Sequence, residues 1–132
     1  MPKPAISTRN TLGKNERLKS RKLIGHLFKE GNSFSIAPLR VLYSLAGETT
    51  SPLQAGFSVS SKKFKKAVDR NRIKRLLREA YRQQKHPLKI QLEENNKQLA
   101  VFFIYTGREI PEHAFIYEKM GIAIQMIVRK TE

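Results

Sequence analysis

The stretch between residues 62 and 85 constrains this chain most, because it has to be both a helix and a densely charged surface. Its apolar residues recur three and four positions apart and form one narrow helical stripe, which consists of Ile73, Leu76, Leu77, Ala80 and Tyr81. The same 24 residues hold eleven Lys or Arg against two acidic residues, and so carry +9 of the chain's formal charge of +15. Cations at this density repel one another, so a polyanion that relieves the repulsion is the expected partner.

The cations of this predicted helix fall mainly on the side away from the apolar stripe. At about 100° per residue, the residues most directly opposite the stripe are Asn71, Arg75, Arg78 and Arg82. Arg72 and Lys74 lie on its two flanks, and Arg70 lies closer to the buried edge. One face therefore anchors the helix, while the other presents guanidinium groups, which can grip a phosphate through two parallel hydrogen bonds.

The ends of this helix are predicted from three residues. Val68 does not fit the stripe, so the helix is predicted to begin near Asp69, whose carboxylate would act as the N-cap. Pro87 is predicted to end it, because proline lacks an N–H and its ring clashes with the preceding turn. A solvated surface face is the ordinary interpretation of a charge run, but it accounts poorly for eleven cations with only two anions among them.

Composition limits the class of protein. With 132 residues and 39% hydrophobic content, the chain is predicted to form one domain over residues 16–132. Residues 1–15 have no apolar period, so a flexible basic arm is expected there, with an organellar transit peptide as the alternative. The chain has no Cys, which excludes disulfides and thiolate metal sites, and no apolar run long enough to suggest a membrane span. A sequence pI near 10.4 suits nucleic acid, an anionic membrane surface or an acidic protein.

The rest of the chain alternates between helical and strand patterns. The predicted segments are a helix from Glu16 or Ser20 to Glu30, extended structure over Phe34–Ala46, strands at Leu53–Val59 and Leu99–Tyr105, and a helix from Pro111 to Lys130. The strand at Leu53–Val59 is predicted to form a hairpin with the extended stretch, and His86–Lys97 to be a polar connection. A strand, a long helix and an entirely apolar strand in succession predict a βαβ crossover in a mixed sheet. The order is αβββαβα, or αββαβα if the extended stretch is one strand.

Alternation within the extended stretch assigns its side chains to two faces. One face carries Leu39, Val41, Tyr43 and Leu45, and the other carries Arg40, Leu42 and Ser44. Core packing is the ordinary role of such apolar residues. A cleft in which unpaired bases stack on exposed rings is the sharper alternative.

The sequence offers no protein-borne active site that can be defended. His26, His86 and His113 are spread over the chain without metal-ligand spacing, and no glycine-rich phosphate loop or Ser/His/Asp arrangement is present. Asp69 and Glu79 are too far apart on one helix to act as an acid–base pair. We therefore predict binding surfaces, with no catalytic residue and no protein-bound metal.

The segment FKKAVDRNRIKRLLR, residues 64–78, resembles the signature of the bacterial ribonuclease P protein component. The pattern is an apolar residue, Ala three positions later, Arg-Asn-Arg, an apolar residue and Lys-Arg, continuing to Arg78, and every specified position is met. The resemblance extends to the preceding GFSVSSKK and to RLKSRKLIGHLFKEGNSF, so it covers residues 15–81. Lys65 departs from the family pattern, in which glycine is common at that position.

This resemblance implies an α+β fold, a two-layer α/β sandwich of a mixed four-stranded sheet and three main helices in the order αβββαβα. The βαβ crossover would be left-handed, against the usual rule, in the arrangement called ribosomal protein S5 domain 2-like. It further implies a protein cofactor of the ribonucleoprotein endonuclease that removes the 5′ leader from precursor tRNA. Catalysis and the required Mg²⁺ would belong to the RNA subunit. A cytoplasmic location is expected, and neither a membrane nor a small-molecule substrate is expected as a partner.

The resemblance also assigns residues to two surfaces. Contacts with the catalytic RNA would be made by Lys62, Lys63, Lys66, Arg70, Asn71, Arg72, Lys74, Arg75 and Arg78. The 5′ leader of precursor tRNA would lie in a cleft between the first helix and the sheet, lined by Ile24, Phe28, Val41 and Tyr43. Ile24 stands where many family members have Phe, which implies weaker base stacking there.

Two other functions remain open at the level of sequence. A basic structural RNA-binding protein of ribosomal type would share the size and charge, without a role in cleavage. A stand-alone nuclease would use His26, His86 or His113 as acid or base. Cleavage of precursor tRNA separates the three, because only the nuclease cuts without a partner RNA and only the ribonuclease P subunit enhances cleavage by that RNA.

Overall fold

The computed structural model describes residues 16–45 and 53–131, which form four helices and four strands. In chain order these are α1 (Arg21–Glu30), β1 (Asn32–Ile36), β2 (Leu39–Leu45), β3 (Leu53–Val59), α2 (Ala67–Gln84), α3 (His86–Glu94), β4 (Leu99–Tyr105) and α4 (His113–Lys130). The predicted α+β class and the order αβββαβα are confirmed, with α3 as an additional helix. The predicted basic arm at residues 1–15 lies outside the described residues, so it and the domain boundary stay predictions.

The sheet is arranged around β4, the strand that is apolar at every position. Its order is β1-β2-β4-β3, with β4 antiparallel to β2 on one side and parallel to β3 on the other. Six of the seven β4 side chains are buried and Ile104 is partly buried, as expected for a strand covered on both faces. The predicted βαβ crossover is confirmed, since α2 and α3 connect the parallel neighbours β3 and β4.

The predicted hairpin between β2 and β3 is wrong, because β4 lies between them. A strand with two apolar faces is most stable in the centre of a sheet, because both faces are buried there and both edges form hydrogen bonds with neighbouring strands. The mixed-polarity β3 takes the outer place instead. Its free edge is partly covered by residues 17 and 18: Arg17 bridges to Ala55, and the Leu18 N–H donates to the Ala55 carbonyl at 2.9 Å.

Helices cover the two faces of the sheet unequally. The larger core lies on the face that carries Val41 of β2 and Phe103 of β4, where α2 and α4 pack. The smaller core lies on the opposite face, where Leu27 of α1 contacts Leu42 and Phe102. Gly56 of β3 allows the Phe102 ring to lie flat against the strand, because a Cβ there would come within 2.6 Å of the ring.

The predicted start of α2 is wrong by two residues. The helix begins at Ala67 after an N-cap at Lys66 whose side chain makes no capping bond. Val68 belongs to the helix but is 76% exposed on the outward face, which is why it breaks the buried stripe. Asp69 lies in the first turn rather than at the cap, where a carboxylate still interacts favourably with the helix dipole.

The polar connection after α2, whose secondary structure the sequence leaves open, contains the helix α3. α2 ends at Gln84, and Pro87 lies in the first turn of α3, where its missing N–H costs nothing. Leu88 and Leu92 form the short buried side of α3. Leu88, Ile90 and Leu92 follow one another at every second position, so the apolar residues of this segment do not have a helical period. In the described ranges 16–45 and 53–131, no helix is both long and apolar enough to cross a membrane.

A buried ionic cluster fastens residue 16 to the junction of α2 and α3. The Glu16 carboxylate accepts a hydrogen bond from Lys89 Nζ at 2.6 Å and a second from Lys85 Nζ. Lys85 is only 1% exposed, so its ammonium group depends on this partner. Burial alone would raise the pKa of Glu16, but the hydrogen bonds and charges of the two lysines outweigh it and hold the pKa below its usual value.

We predict that Glu16→Gln destabilises the fold by about 3 kcal/mol at neutral pH, because it removes the charged carboxylate that both buried lysines contact. Urea unfolding monitored by circular dichroism measures the loss. Glu30→Gln is the matched control, since the Glu30 side chain is well exposed and its ion-pair partner in the described part of the chain is His26. A loss at Glu16 no larger than at Glu30 would contradict a stabilising role for the cluster.

The same variant carries a pH signature. Because the pKa of Glu16 is lowered in the folded state, its contribution to the free energy of unfolding is complete above the unfolded value near 4.5 and is lost as pH falls through the folded pKa. The stability difference between the wild type and Glu16→Gln should therefore narrow below about pH 4.5. A constant difference down to pH 3 would show that the charge of Glu16 is not what stabilises the junction.

Candidate nucleic-acid interface

The outward face of α2 presents unpaired cations at regular intervals. Arg72, Arg75 and Arg78 are exposed, together with Asn71. Within residues 16–45 and 53–131, none of these three arginines has a carboxylate within ion-pair distance. Their guanidinium groups are thus available to an anion outside the molecule, and consecutive members are three residues apart along one rigid helix.

This face is held in place by the buried side of the same helix. Ile73, Leu77, Ala80 and Tyr81 are all buried in the larger core. The predicted stripe is therefore confirmed, apart from Leu76, which is only partly buried. Anchoring fixes the direction in which each arginine leaves the helix, and this lowers the entropy cost of binding a rigid partner.

Arg70 has a different position from the other arginines. Its Nη1 donates to the backbone carbonyls of Phe64 and Lys65, both at 2.8 Å. These bonds tie the loop at residues 60–66 to the first turn of α2. We assign Arg70 a positioning role, in which it orients the basic loop while its remaining N–H groups stay available.

The lysines predicted to bind RNA surround the start of the same helix. Lys62, Lys63 and Lys66 are exposed, and Lys74 is partly buried on the flank of α2. Lys63 Nζ donates to the Thr106 carbonyl at 2.6 Å, which joins the basic loop to the end of β4. The structure therefore brings the nine predicted RNA-contacting residues together along α2 and the loop before it.

Two further cations of the stretch are neutralised within the protein. Arg82 lies on the outward face as predicted, but its Nε donates to Glu79 Oε1 at 2.8 Å. The hydrogen bond from Arg82 is the main reason that the pKa of Glu79 is lowered. Lys85 is buried against Glu16. The available positive charge is therefore concentrated in the first two-thirds of α2 and the preceding loop.

The predicted leader cleft is only half correct. Ile24 and Phe28 lie on α1, against the smaller core. Val41 is fully buried in the larger core, and Tyr43 packs against that core from its edge. Because side chains alternate along β2, these two residues point to the sheet face opposite α1, so their assignment to one cleft with Ile24 and Phe28 is wrong.

The residues that do face α1 are the alternate ones. Leu42 and Phe102 are covered by the helix, and the Phe28 ring meets Phe102 edge-on at 5.8 Å between centroids. Phe28 itself is 53% exposed. On the same face of the sheet, two positions further along each strand, Arg40 of β2 pairs with Ile104 of β4. Arg40 is exposed and Ile104 is partly buried.

Ser58 of β3 pairs with Ile104 on its other side and completes this row. We call the surface formed by Ile24, Phe28, Arg40, Ser58 and Ile104 the sheet groove. It combines an exposed ring, an apolar floor and a flanking cation, which is the combination that accepts an unpaired strand.

The alternation pattern already placed Arg40 and Leu42 together, so the sequence contained the signal for one side of the sheet groove. It did not contain the signal for Ile104 or Phe102, because every position of β4 is apolar and neither face stands out. The choice of Val41 and Tyr43 was one residue out of register, and in a strand a shift of one residue moves every side chain to the other face.

The three histidines lie on separate elements. His26 Nδ1 is 3.4 Å from Glu30 on α1, and the His113 ring lies 6.0 Å from the Tyr117 ring on α4. His86 begins α3. Across the described part of the chain there is no group of three His, Asp or Glu side chains arranged to hold a metal.

Comparison with known proteins gives the same family from sequence and from structure. A family model described as Ribonuclease P matches residues 12–125. The ribonuclease P protein component of Porphyromonas gingivalis is 40% identical over 110 residues, which are 83% of this chain and 80% of the relative. That of Chlorobium phaeobacteroides is 34% identical over 123 residues, with 85% and 84% covered.

Comparison with solved structures gives the same family as the sequence comparison. The RNase P protein from Thermotoga maritima superposes with a TM-score of 0.66 at 27% identity and covers 84% of this chain and 96% of that one. The RNase P protein of Staphylococcus aureus, at 20% identity, shares the fold with a TM-score of 0.64 and coverage of 85% and 94%. The resemblance at residues 64–78 is confirmed over most of the sequence, and the chain belongs to the ribonuclease P protein family.

Proposed function

We propose that this protein is the RNA-binding subunit of ribonuclease P and assists a catalytic RNA in removing the 5′ leader from precursor tRNA. The observation that carries the proposal is the outward face of α2, where Arg72, Arg75 and Arg78 are exposed on an anchored helix without carboxylate partners in the described structure. A folded RNA brings its phosphates close together, and a rigid row of guanidinium groups offsets their repulsion. Asn71, in the same row, can both donate and accept hydrogen bonds at ribose or base edges.

The sheet groove is the proposed site for the 5′ leader. An unpaired strand needs a surface on which its bases can stack, and the exposed Phe28 ring offers one. Arg40, the exposed cation at the flank of the groove, would contact the phosphates of the leader backbone. Because mature tRNA has lost its leader, this contact favours the precursor over the product.

The proposal assigns bond breaking to the RNA. Phosphate oxygens are hard ligands that suit Mg²⁺, so we place the divalent ions of the reaction on the RNA, with the protein shaping and neutralising the RNA around them. A cytoplasmic location, together with the partner RNA and precursor tRNA, is part of the same proposal.

Reconstituted cleavage of precursor tRNA tests this division of labour. We expect no cleavage by the protein alone, slow cleavage by the partner RNA alone at low Mg²⁺, and faster cleavage by the two together, because protein cations replace part of the counterion requirement. Cleavage by the purified protein without RNA would overturn the proposal. An unchanged RNA rate after protein is added would favour a purely structural RNA-binding protein instead.

The docking face is tested by neutralising two of its arginines together. We predict that Arg75→Gln with Arg78→Gln weakens binding to the catalytic RNA by roughly tenfold or more. It should also reduce the slope of log affinity against log salt by about 0.9 per lost phosphate contact. Glutamine preserves helix propensity, so the helix itself should remain. Filter binding over a salt series measures both quantities.

Arg129→Gln is the control for this experiment, since Arg129 is exposed near the end of α4 rather than on α2. It should leave the salt slope unchanged. Equal slopes for the double variant and the wild type would show that α2 does not contact phosphates.

The sheet groove is tested by replacing an aromatic side chain with leucine on each of the two faces of the sheet and comparing the two variants. We predict that Phe28→Leu weakens precursor tRNA binding to the holoenzyme by roughly tenfold through lost stacking, while mature tRNA binding is unchanged. Tyr43→Leu, on the other face, should affect neither. Competition binding with precursors carrying leaders of different length gives the measurement, and a loss of leader affinity in Tyr43→Leu alone would reverse the assignment of faces.

A further inference from the structure

An open surface pocket of about 410 Å³ lies where β4 ends, between the turn that joins β1 to β2 and the first turn of α4. It is lined by Ala37, Pro38, Tyr105, Arg108, Glu109 and Phe115. None of these residues was selected from the sequence, and none belongs to the outward face of α2 or to the sheet groove. It is an open depression in the surface rather than an enclosed cavity.

One wall of the pocket is an exposed ring, and a lysine ammonium group lies over this ring. Phe115 is 43% exposed on α4, although exposure of an apolar ring to water is energetically unfavourable. Lys119 Nζ lies 5.5 Å from the centre of this ring. Arg108 lines the same pocket, is exposed, and has no carboxylate within ion-pair distance in the described part of the chain.

The remaining walls are fixed by hydrogen bonds. The Tyr105 hydroxyl donates to the Glu109 carbonyl at 2.6 Å, so the loop that carries Arg108 is tied to the end of β4. Thr106 donates to the Pro38 carbonyl through its N–H at 2.8 Å and its hydroxyl at 2.9 Å. The pocket is therefore formed in advance, and a ligand would not have to order its walls.

The pocket is continuous with the basic loop that leads into α2. Lys63 reaches the Thr106 carbonyl at the pocket rim, and the Phe64 ring packs on Tyr105 at 6.1 Å. An RNA that contacts this loop would therefore lie close to the pocket. The adjacency identifies the class of ligand, since aromatic and cationic groups beside a phosphate-binding face suit a nucleotide.

Glu109 adds a negative group to an otherwise cationic site. Glu109 is one of the residues that line the pocket. A carboxylate repels phosphate but accepts hydrogen bonds from the edge of a base. Guanine offers two adjacent donors on its Watson–Crick edge, whereas uracil offers a single N–H.

We infer that this pocket holds one unpaired nucleotide, with its base stacked on Phe115, its edge donating to Glu109 and its flanking phosphates contacted by Arg108 and Lys119. The inference rests on the proposed function, because it takes the RNA on α2 as the source of the strand. The nucleotide belongs either to a bulge of the catalytic RNA or to the precursor tRNA. Guanine is the preferred base.

The test uses the full chain with fluorescein-labelled single-stranded RNA hexamers, one all-uridine and one with a single central guanosine. Phe115→Leu should weaken binding of the guanosine hexamer by roughly tenfold, as expected for the loss of one stacked base. Phe115→Tyr, which keeps the ring, should stay within about twofold. Glu109→Gln should reduce the guanosine-over-uridine preference, which we expect to be roughly fivefold in the wild type.

Tyr117→Leu is the matched control, because Tyr117 is 40% exposed on the same helix but lies outside the pocket. It should bind both hexamers like the wild type, and thermal melting should show both leucine variants folded. Equal losses in Phe115→Leu and Tyr117→Leu, or no loss in either, would overturn the inference.

Two further titrations identify the source of the nucleotide. If Phe115→Leu weakens binding to the catalytic RNA alone, the nucleotide comes from that RNA. If it weakens only precursor tRNA binding to the assembled holoenzyme, the nucleotide comes from the substrate. Failure of Arg75→Gln with Arg78→Gln to change RNA affinity, alongside a loss in Phe115→Leu, would reject the docking face while leaving the pocket in place.

Discussion

The structure depends on how α2 is fixed to the sheet. The Tyr81 ring lies 5.6 Å from Phe57 and 5.5 Å from Phe103, while Phe57 and Phe103 stack at 5.7 Å. These contacts join the helix to β3 and to the central strand β4. The three rings contribute apolar burial and ring–ring contacts of roughly 0.5–1.5 kcal/mol per pair beyond that burial. Without this anchor, a helix with so many like charges would gain little from being folded and would not hold its arginines in a fixed row.

The sequence predicted the features that are periodic and strongly one-sided. The stripe of α2 was visible because Ile73, Leu77 and Ala80 recur at helical spacing beneath a cationic surface, and β4 because it contains no polar residue. The motif at residues 64–78 identified the family. Each of these features is encoded in a short continuous segment of the chain, so it can be predicted without knowing which other elements pack against that segment.

The sequence failed where tertiary partners decide the outcome. Nothing in the sequence of β3 indicates that its neighbour is β4 rather than β2. The pairing depends on which strand has the most apolar surface to bury in the centre of the sheet. Val41 and Tyr43 were assigned to the wrong face for a related reason, because alternation separates the two faces without saying which one α1 covers. Arg82 was expected to be available, yet Glu79 pairs with it one turn earlier. The pocket at Phe115 unites residues from three separate segments, and no local pattern connects them.

The attachment of Arg70 has a consequence for variation in the basic loop. Its guanidinium group bonds to main-chain carbonyls of residues 64 and 65 rather than to their side chains. Exchanging the side chain at position 65 therefore leaves the bond acceptors where they are, so the attachment does not require a particular side chain there. The loop can thus change its sequence among relatives, or in a designed library, while the path of its backbone into α2 is kept by one arginine.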